Sequence, residues 1–484
     1  MKHKKKIIGL FVLLTWLGTM YWQTHKPLPM GVRVDSSAVF LPESEVQFLT
    51  DLSFTTAQGQ ALHQQQIFDA VLQQIDTAQR FLVLDYFLLN DDMGSASQPL
   101  RKLSGEVAAH LLARKLAKPD IQILLITDPI NDVYGGAPSE LLQRLQAAGI
   151  DVVRTDLTQL RDSNAGYSAV WRGVVQWFGN RDAGGWLPNP FASEDHKITL
   201  RSYLSLLNFK ANHRKVIVSD RADGEWQAIV ASANPHDASS AHSNVALQFT
   251  GELTHVVLNS EINIAKMSGW PNDLTQISYT PKADTDAPIE LSYVTESAIR
   301  GRIVREVNTA VAGDQIQLAM FYLSERDVLA ALERAAQRQV SIRLILDPNK
   351  DAFGIQKDGV PNRPVANELV NSSNNITVRW YRTHGEQFHT KLLTVQHDGQ
   401  LFVTLGSANF TRRNLDDYNL EANVALRMPL QTQLAKQFNA YFERLWQGDA
   451  LTPEYTAPFG AYQDDSAARY WRYRLMEATG LSTF

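Results

Sequence analysis

The chain has 484 residues, 44% hydrophobic and 20% charged, and this composition indicates a folded globular protein rather than a disordered or fibrous one. Its formal net charge of −5 provides no global basic field for nucleic acid, and the absence of cysteine excludes disulfides, thiolate metal sites and cysteine nucleophiles. This length suits two core-forming units plus an extension rather than one compact domain.

The N-terminus combines a basic flank with an apolar run. Basic residues at positions 2–6 precede an apolar stretch over residues 7–22, which ends in the aromatic pair Tyr21-Trp22 typical of a membrane interface. No A-x-A cleavage site is visible there, so we predict an uncleaved signal-anchor over residues 1–26, with a cleaved signal peptide as the alternative. In both cases the basic flank stays cytoplasmic. This predicts a bacterial-type inner-membrane protein whose body lies on the extracytoplasmic (periplasmic) side.

The remainder of the chain predicts two copies of one α/β unit. The corresponding segments, first copy before second, are a helix at 67–72 and 303–307, a strand at 81–87 and 316–322, and a β-branched strand at 121–126 and 340–346. The sequence D-P-x-x-D-x-aromatic-G begins at both Asp128 and Asp347. Apolar hairpins with Asp-Gly turns follow, and then N-V-A-L at Asn244 and Asn423. Matches in the same order indicate a tandem duplication.

The duplication sets the expected domain boundaries. We expect a first domain over residues 40–270, a polar linker over 271–290, a second domain over 291–450 and a C-terminal extension over 451–484. Alternating strands and helices predict an α/β/α unit in each half. The two units are expected to pack about a pseudo-twofold axis, behind an N-terminal membrane anchor helix.

A histidine with a lysine two residues later occurs at an equivalent place in each copy. His213 and Lys215 precede an S-A-N turn at Ser232 to Asn234, and His389 and Lys391 precede one at Ser407 to Asn409. Side chains two apart lie on the same face of a strand, so each lysine accompanies its histidine. A lone histidine on an apolar strand is usually a core residue, but its recurrence in a duplicated unit favours a shared catalytic site.

Such a site suits a phosphodiester. One neutral imidazole attacks phosphorus, and the other donates a proton to the leaving alkoxide and later deprotonates an alcohol or water. The two lysines would neutralise the non-bridging oxygens, with Asn234 and Asn409 as amide donors and Ser232 and Ser407 as donors to the phosphate. We expect Glu421 to orient His389. No cofactor is required and no clustered carboxylate set for a metal is visible.

This pattern resembles the phospholipase D superfamily, whose motif H-x-K-x-x-x-x-D with a downstream G/S-x-x-N occurs twice. His213, Lys215 and Asp220 match in full, whereas Gln396 occupies the acidic position of the second copy. The resemblance covers roughly residues 67–424. It implies the two-histidine mechanism, with His213 as the nucleophile and His389 as the general acid/base. We expect Asp220, with Ser232 and Ser407, to contribute to substrate binding.

Three features favour a lipid substrate: the anchor, the negative net charge, and the segment from Tyr167 to Phe191, which contains Trp171, Trp177, Phe178 and Trp186. This segment is expected either to rest in the lipid interface or to cover the core.

The leading hypothesis is a membrane-anchored phosphatidyltransferase similar to cardiolipin synthase. It would act on a glycerophospholipid, with no nucleic acid partner expected and the oligomeric state left open. The alternatives are a phospholipase D-type hydrolase or exported nuclease on the same scaffold, and a non-catalytic lipid-binding scaffold.

Overall fold

Alternating aliphatic and β-branched runs form the central strands of two sheets, and amphipathic helices cover them. The computed structural model describes residues 2–91, 100–181, 184–189, 197–274, 287–352, 355–482 and 484. The elements of the N-terminal half are α1 (Lys2–His25), β1 (Val39–Leu41), β2 (Val46–Thr55), β3 (Ala61–Gln64), α2 (Ile67–Thr77), β4 (Phe81–Tyr86), α3 (Leu103–Ala117), β5 (Gln122–Thr127), α4 (Glu140–Ala147), β6 (Asp151–Arg154), α5 (Ala165–Gly173), β7 (Leu187–Pro188), β8 (Lys197–Ile198), α6 (Leu200–Leu206), β9 (Lys215–Asp220), β10 (Trp226–Ala231), β11 (Asn244–Thr250) and α7 (Leu253–Met267).

The C-terminal half repeats most of this order. Its elements are β12 (Ile289–Thr295), α8 (Ser297–Thr309), β13 (Gln315–Met320), α9 (Arg326–Gln337), β14 (Ser341–Leu346), β15 (Asp351–Ala352), β16 (Ile355–Gln356), α10 (Asn362–Ser372), β17 (Ile376–Tyr381), β18 (Lys391–His397), β19 (Gln400–Gly406), α11 (Arg412–Leu415), β20 (Ala422–Pro429), α12 (Gln433–Gln447), β21 (Thr456–Pro458) and α13 (Ala467–Thr479).

The two large sheets share the same topology from β2 to β6 and from β12 to β17, and they differ in the edge strands β1, β3 and β21. The strand order is β3-β2-β11-β10-β9-β4-β5-β6 in one sheet and β1-β12-β20-β19-β18-β13-β14-β17-β21 in the other. In each sheet the three strands joined through helices are parallel, β4-β5-β6 and β13-β14-β17, and the hairpin strands are antiparallel. The predicted tandem α/β fold is therefore confirmed.

Two edge strands of the second sheet come from outside the expected second domain. β1, from the start of the expected first domain, pairs with β12 in the second sheet, and β21, from the expected C-terminal extension, pairs with β17 there. β12 begins at Ile289, inside the expected linker 271–290, of which residues 275–286 lie outside the described part of the chain. Strand pairing thus ties both flanking segments to the second unit.

The core is built from strands with both faces buried. In β9, Val216 and Val218 face a central apolar cluster, while Ile217 on the opposite face packs in an outer cluster with residues of α2 and α3. The central cluster also contains Leu392 of β18 and apolar residues of α7 and α12. One hydrophobic core therefore joins the two units and fixes their relative position.

A buried charge network also joins the halves. The Arg214 guanidinium donates to Glu261 of α7 at 3.0 Å and to Glu296 at 2.7 Å, and all three side chains are fully buried. Glu296 also accepts a hydrogen bond from the backbone N–H of Glu421 at 3.1 Å. Arg214 lies between the two motif residues His213 and Lys215, so this network supports the local backbone of the first motif.

We expect Arg214→Met to destabilise the protein by about 3–5 kcal/mol, because it leaves two buried carboxylates without their cation. Chemical denaturation followed by tryptophan fluorescence measures the change. Arg221→Ala is the matched control, since its ion pair with Asp223 at 2.9 Å is solvent-exposed and worth about 0–1 kcal/mol. Equal losses in the two variants would contradict the assignment.

Candidate active site

The two halves meet at the starts of β9 and β18, where short parallel bridges cross between them. Asn212 pairs with Leu420, and Ser243 pairs with Phe388. The N–H of His213 donates to the Leu420 carbonyl at 2.9 Å, and the N–H of Ser243 donates to the Gln387 carbonyl at 3.1 Å. Each bridge joins the approach to a histidine in one half with the approach to β20 or β11 in the other. This reciprocity is the pseudo-twofold relation at the site.

The D-P motifs hold the strand approaches in place. The carboxylate of Asp128 accepts a hydrogen bond from the N–H of Asn212 at 2.7 Å, and that of Asp347 accepts one from the N–H of Phe388 at 2.7 Å. Burial raises the pKa of each carboxyl to about 7. Each carboxylate holds the backbone N–H of the residue immediately before a motif histidine, so the repeated D-P sequence positions the backbone of each motif.

His213 is paired with a carboxylate from the other half. Its Nδ1–H donates to Glu421, with the two carboxylate oxygens at 2.9 and 3.1 Å. Glu421 is fully buried and also accepts from Ser407 and Asn414. The expectation that Glu421 orients His389 is therefore wrong, because the Asn212–Leu420 bridge brings Glu421 beside His213 instead.

His389 is paired with an amide. Its Nδ1–H donates to Oδ1 of Asn244 at 3.0 Å. The same Oδ1 accepts from Ser232 at 2.9 Å, and the Asn244 amide group donates to the His242 carbonyl at 3.1 Å, so the orientation of the amide is determined. Both histidines thus present their Nε2 edge away from the partner, but only His213 has a carboxylate behind it.

Asn244 and Glu421 occupy equivalent positions. Ser232 Oγ accepts from the N–H of Val245, and Ser407 Oγ accepts from the N–H of Ala422, so the residue before each is the histidine partner. The two N-V-A-L sequences are consequently not equivalent: Asn244 begins β11, whereas Asn423 lies one residue inside β20 and pairs with Gly406. Their identity in sequence concealed a two-residue shift in register.

The remaining predicted residues divide into two groups. The sequence predicts that Ser232 and Ser407 donate to the phosphate. Both are instead fully buried and donate to Asn244 and Glu421, so they position the partners of the two histidines. Asp220 lies at the far end of β9, where it accepts from the N–H groups of residues 79–81 and from Arg80 at 2.7 Å. It caps a loop and has no place in substrate binding.

The asparagines of the S-A-N turns lie in the buried part of the same turns. Oδ1 of Asn234 accepts from the N–H of Leu88 at 3.3 Å, whereas the buried Oδ1 of Asn409 has no hydrogen-bond partner among the residues that the structure describes. Their predicted role as donors to the substrate stays a prediction.

The two lysines project beside their histidines with matching geometry. Nζ of Lys215 donates to the His213 carbonyl at 2.5 Å, and Nζ of Lys391 donates to the His389 carbonyl at 2.8 Å. Lys215 Nζ lies 5.2 Å from the ring centroid of Phe87, and Lys391 Nζ lies 5.2 Å from that of Phe321. Aromatic faces therefore hold both ammonium groups at the site.

Phe87 and Phe321 also belong to the site, although neither lies in one of the repeated motifs. Each ring also packs on its neighbouring histidine with centroids 5.0 Å apart. Both phenylalanines come at the end of equivalent strands, β4 and β13, and that repeated position was the available signal. They shape the site by excluding water from one side of each imidazole.

Burial dominates the electrostatics of the site. It lowers the pKa of His213 to about 4, against an opposing effect of Glu421, and lowers the pKa of Lys215 to about 7. Burial and the adjacent Lys391 hold the pKa of His389 well below its usual range, and burial together with Lys215 does the same to the pKa of Lys391. Burial alone would raise the pKa of Glu421, but His213 and Lys215 make the net shift downward.

The site is therefore a desolvated cluster of two imidazoles, two ammonium groups and one carboxylate. A phosphodiester anion placed among them would compensate the lysine charges and raise the pKa of both histidines. In the described part of the chain, no group of three or more His, Asp or Glu side chains is arranged to hold a metal ion.

Comparisons with known proteins agree with this geometry. Residues 303–446 match the family model of the phospholipase D-like domain of cardiolipin synthase. No curated protein matches the chain. The solved phosphatidylserine synthase from Haemophilus influenzae has a TM-score of 0.57 and 11% identity, covering 96% of this chain and 100% of that one. This likeness shows that the fold extends over both units.

Two further solved structures align with lower scores. Polyphosphate kinase from Porphyromonas gingivalis has a TM-score of 0.44 at 13% identity, covering 96% of this chain and 56% of that one. The phospholipase D family member Nuc from Salmonella typhimurium has a TM-score of 0.28 at 20% identity, covering 36% of this chain and 100% of that one.

The N-terminal helix is consistent with this family. α1 is long and apolar enough to cross a membrane, although a signal sequence has the same character, and its apolar side chains are exposed. The helix and the family match together suggest membrane association. A phospholipase D-like domain thus matches the second unit, and the likeness in fold extends over both units, which together support membership of the phospholipase D superfamily.

Proposed function

We propose that this protein is a membrane-anchored phosphatidyltransferase with a cardiolipin synthase-like reaction. The observation that carries the proposal is the unequal pairing of the two histidines, His213 with Glu421 and His389 with Asn244. Two histidines with different partners suit two different roles in one reaction. The family match supports a phosphatidyl substrate.

In the first step, Nε2 of neutral His213 attacks phosphorus and forms a P–N bond as the P–O bond to the leaving alcohol breaks. Glu421 accepts the Nδ1–H of His213 and stabilises the positive charge that develops on this ring. Lys215 and Lys391 stabilise the charge on the non-bridging oxygens. Protonated His389 donates its Nε2 proton to the leaving alkoxide.

In the second step, His389 acts as a base. Its neutral Nε2 removes a proton from the incoming alcohol, whose oxygen attacks the phosphohistidine, and the P–N bond breaks to return neutral His213. His389 leaves this step protonated and ready for the next cycle. Asn244 keeps the His389 ring in the tautomer that exposes Nε2.

The anchor determines where this reaction takes place. We infer that α1 crosses the inner membrane with residues 2–6 in the cytoplasm, which puts the catalytic body on the extracytoplasmic side. The substrate would then be a glycerophospholipid of the same bilayer.

A hydrolase on the same scaffold is the second candidate, because water and an alcohol would attack the same phosphohistidine. The burial of the site favours the alcohol: His213 and His389 are each only 9% exposed. Exclusion of water protects a reactive intermediate from hydrolysis.

The test is to incubate purified, detergent-solubilised protein with labelled phosphatidylglycerol in the presence of EDTA, beside His213→Ala. We expect cardiolipin and glycerol, and neither product from the variant. Phosphatidic acid as the only product would make the protein a hydrolase. Absence of any lipid product, with cleavage of single-stranded DNA instead, would overturn the proposal in favour of a nuclease.

A further inference from the structure

A group of apolar side chains near α5 is exposed although the surrounding segment folds against the body. Trp171 of α5 is buried, at 8% exposed, whereas Trp177 and Phe178 just after the helix are 76% and 66% exposed. We call the exposed group the α5 face; its residues are Val170, Val174, Trp177, Phe178 and Trp186. The segment from 167 to 191 therefore has a covering side at Trp171 and an exposed side at Trp177 and Phe178. Residues 182, 183, 190 and 191 lie outside the described residues.

The helix that carries the α5 face is attached to the anchor helix. Nε1–H of Trp16 in α1 donates to the Gly166 carbonyl in α5 at 3.0 Å, and the N–H of Asp162 donates to the Gln23 carbonyl at 3.0 Å. Beyond the helix end, Nζ of Lys26 donates to the Thr158 carbonyl at 2.9 Å, and Arg161 Nε donates to the Lys26 carbonyl at 2.8 Å. The C-terminal half of α1 is thus fixed to the start of α5 and to the loop before it, rather than joined to the body by a free tether.

This attachment fixes what covers the α5 face. The contact of Trp16 with Gly166 lies seven residues, about 10 Å of helix, before the contact of Gln23 with Asp162. When the apolar residues of α1 enter a bilayer, α5 must therefore lie within the outer interfacial region of that bilayer, at a depth suited to an amphipathic surface helix. Tryptophan is suited to that level, since its ring is apolar and its N–H is polar. Exposed Arg181 lies within the segment and exposed Lys197 follows it, and both provide cations for lipid phosphates.

We propose that the catalytic body docks on the bilayer surface through the α5 face, as an interfacial element separate from the transmembrane helix. The proposal rests on the membrane-anchored function proposed above, and it adds the orientation of the body on the lipid. Trp177 and Phe178 insert at the headgroup level, and the occupant of the face is the membrane that also holds α1.

The docking surface is structurally connected to the first catalytic motif. Asn164 Nδ2 donates to the Leu207 carbonyl at 2.9 Å, and Ser163 Oγ donates to the Phe209 carbonyl at 3.0 Å. Ser168 Oγ donates to Oδ1 of Asn208 at 2.8 Å. Residues 207–209 lead directly into the strand approach that contains His213. Docking would therefore hold the segment that leads into the first motif beside the lipid from which the substrate comes.

Depth measurement with a fluorescent label tests the proposal. The chain contains no cysteine, so Trp177→Cys can be labelled with an environment-sensitive fluorophore in the full-length protein reconstituted in phosphatidylglycerol-containing vesicles. Leu116→Cys is the matched control, because Leu116 is 83% exposed and lies at the end of α3, near the start of β5 and opposite to the catalytic end of the sheet. Both labels are placed in the His213→Asn background, so lipid turnover does not affect the reading.

We expect the label at position 177 to show blue-shifted emission and quenching by lipids spin-labelled near the headgroup, and the label at position 116 to behave as in water. A vesicle-bound protein with an aqueous label at both positions would overturn the docking proposal and leave the anchor intact. A protein that does not bind vesicles at all would overturn the docking and the anchor together. Neither result depends on the reaction that the active site performs.

Discussion

Replacing His213 by asparagine should reduce turnover by more than about ten-thousand-fold, because it removes the nucleophile. His389→Asn should reduce turnover of a natural lipid by about 100- to 10,000-fold, the usual contribution of a general acid/base. The two variants should differ sharply on a substrate with an aryl leaving group, which leaves without protonation. Bis(4-nitrophenyl) phosphate is such a substrate.

With that substrate, His389→Asn should release one equivalent of nitrophenol per enzyme in a burst and then stall. The first step still occurs, but no base is left to activate the second alcohol or water. Intact-protein mass spectrometry should detect the covalent adduct on His213. His213→Asn should give neither burst nor adduct. A burst in His213→Asn and none in His389→Asn would reverse the assignment of the two roles.

Glu421→Gln should lower the maximal rate by about 100- to 10,000-fold while the protein stays folded, by analogy with the loss of the carboxylate behind a catalytic histidine in other enzymes. The glutamine can present its NH₂ group to Nδ1 of His213, which would place the proton on Nε2 and block the attack. Steady-state kinetics with a thermal melt as the folding control measures the effect. A rate within a few-fold of the parent protein would show that Glu421 does not orient the nucleophile.

The pH profile provides a second reading of the same pair. His213 acts when neutral, and its pKa of about 4 puts the acidic limb of kcat/KM near pH 4. Glu421 opposes the downward shift in this pKa, so Glu421→Gln should move the acidic limb to lower pH. In kcat, which reports the substrate-bound enzyme, loss of the proton from His389 should form the alkaline limb, because the bound phosphodiester raises the pKa that burial and Lys391 hold low in the free enzyme. A flat profile of kcat would contradict the two-histidine mechanism.

The partner of His389 can be tested in the opposite direction. Asn244→Asp places a carboxylate behind His389 and should raise its pKa, which moves the alkaline limb to higher pH. Gln396→Asp is the control, because it restores the acidic residue of the second motif at the far end of β18, away from His389. The equivalent residue of the first unit, Asp220 of β9, only caps a loop. An equal shift of the alkaline limb in both variants would contradict the assignment of Asn244.

The sequence by itself determined the repeated local elements of the fold. The strand periodicities, the hairpin turns and the doubled His-x-Lys and S-A-N sequences were sufficient to predict two tandem α/β units, because each of these signals depends on residues close together in the chain. The apolar run at the N-terminus indicated a helix of membrane-spanning length for the same reason. In each case the residues that form the element are the same residues whose sequence pattern predicts it.

Pairing between distant segments was decided only by the tertiary structure. The sequence predicts that Glu421 pairs with His389, the nearer histidine. The bridge of Asn212 with Leu420 crosses between the units and brings Glu421 beside His213 instead, 208 residues away. The N-V-A-L match aligns Asn244 with Asn423, but Asn244 is structurally equivalent to Glu421. The hydrogen bonds of Ser232 and Ser407 to the next backbone N–H, and not the identity of the residues, determine which positions of β11 and β20 correspond. Sequence determined which groups the site contains; packing of the two sheets about a common core decided which histidine has the carboxylate.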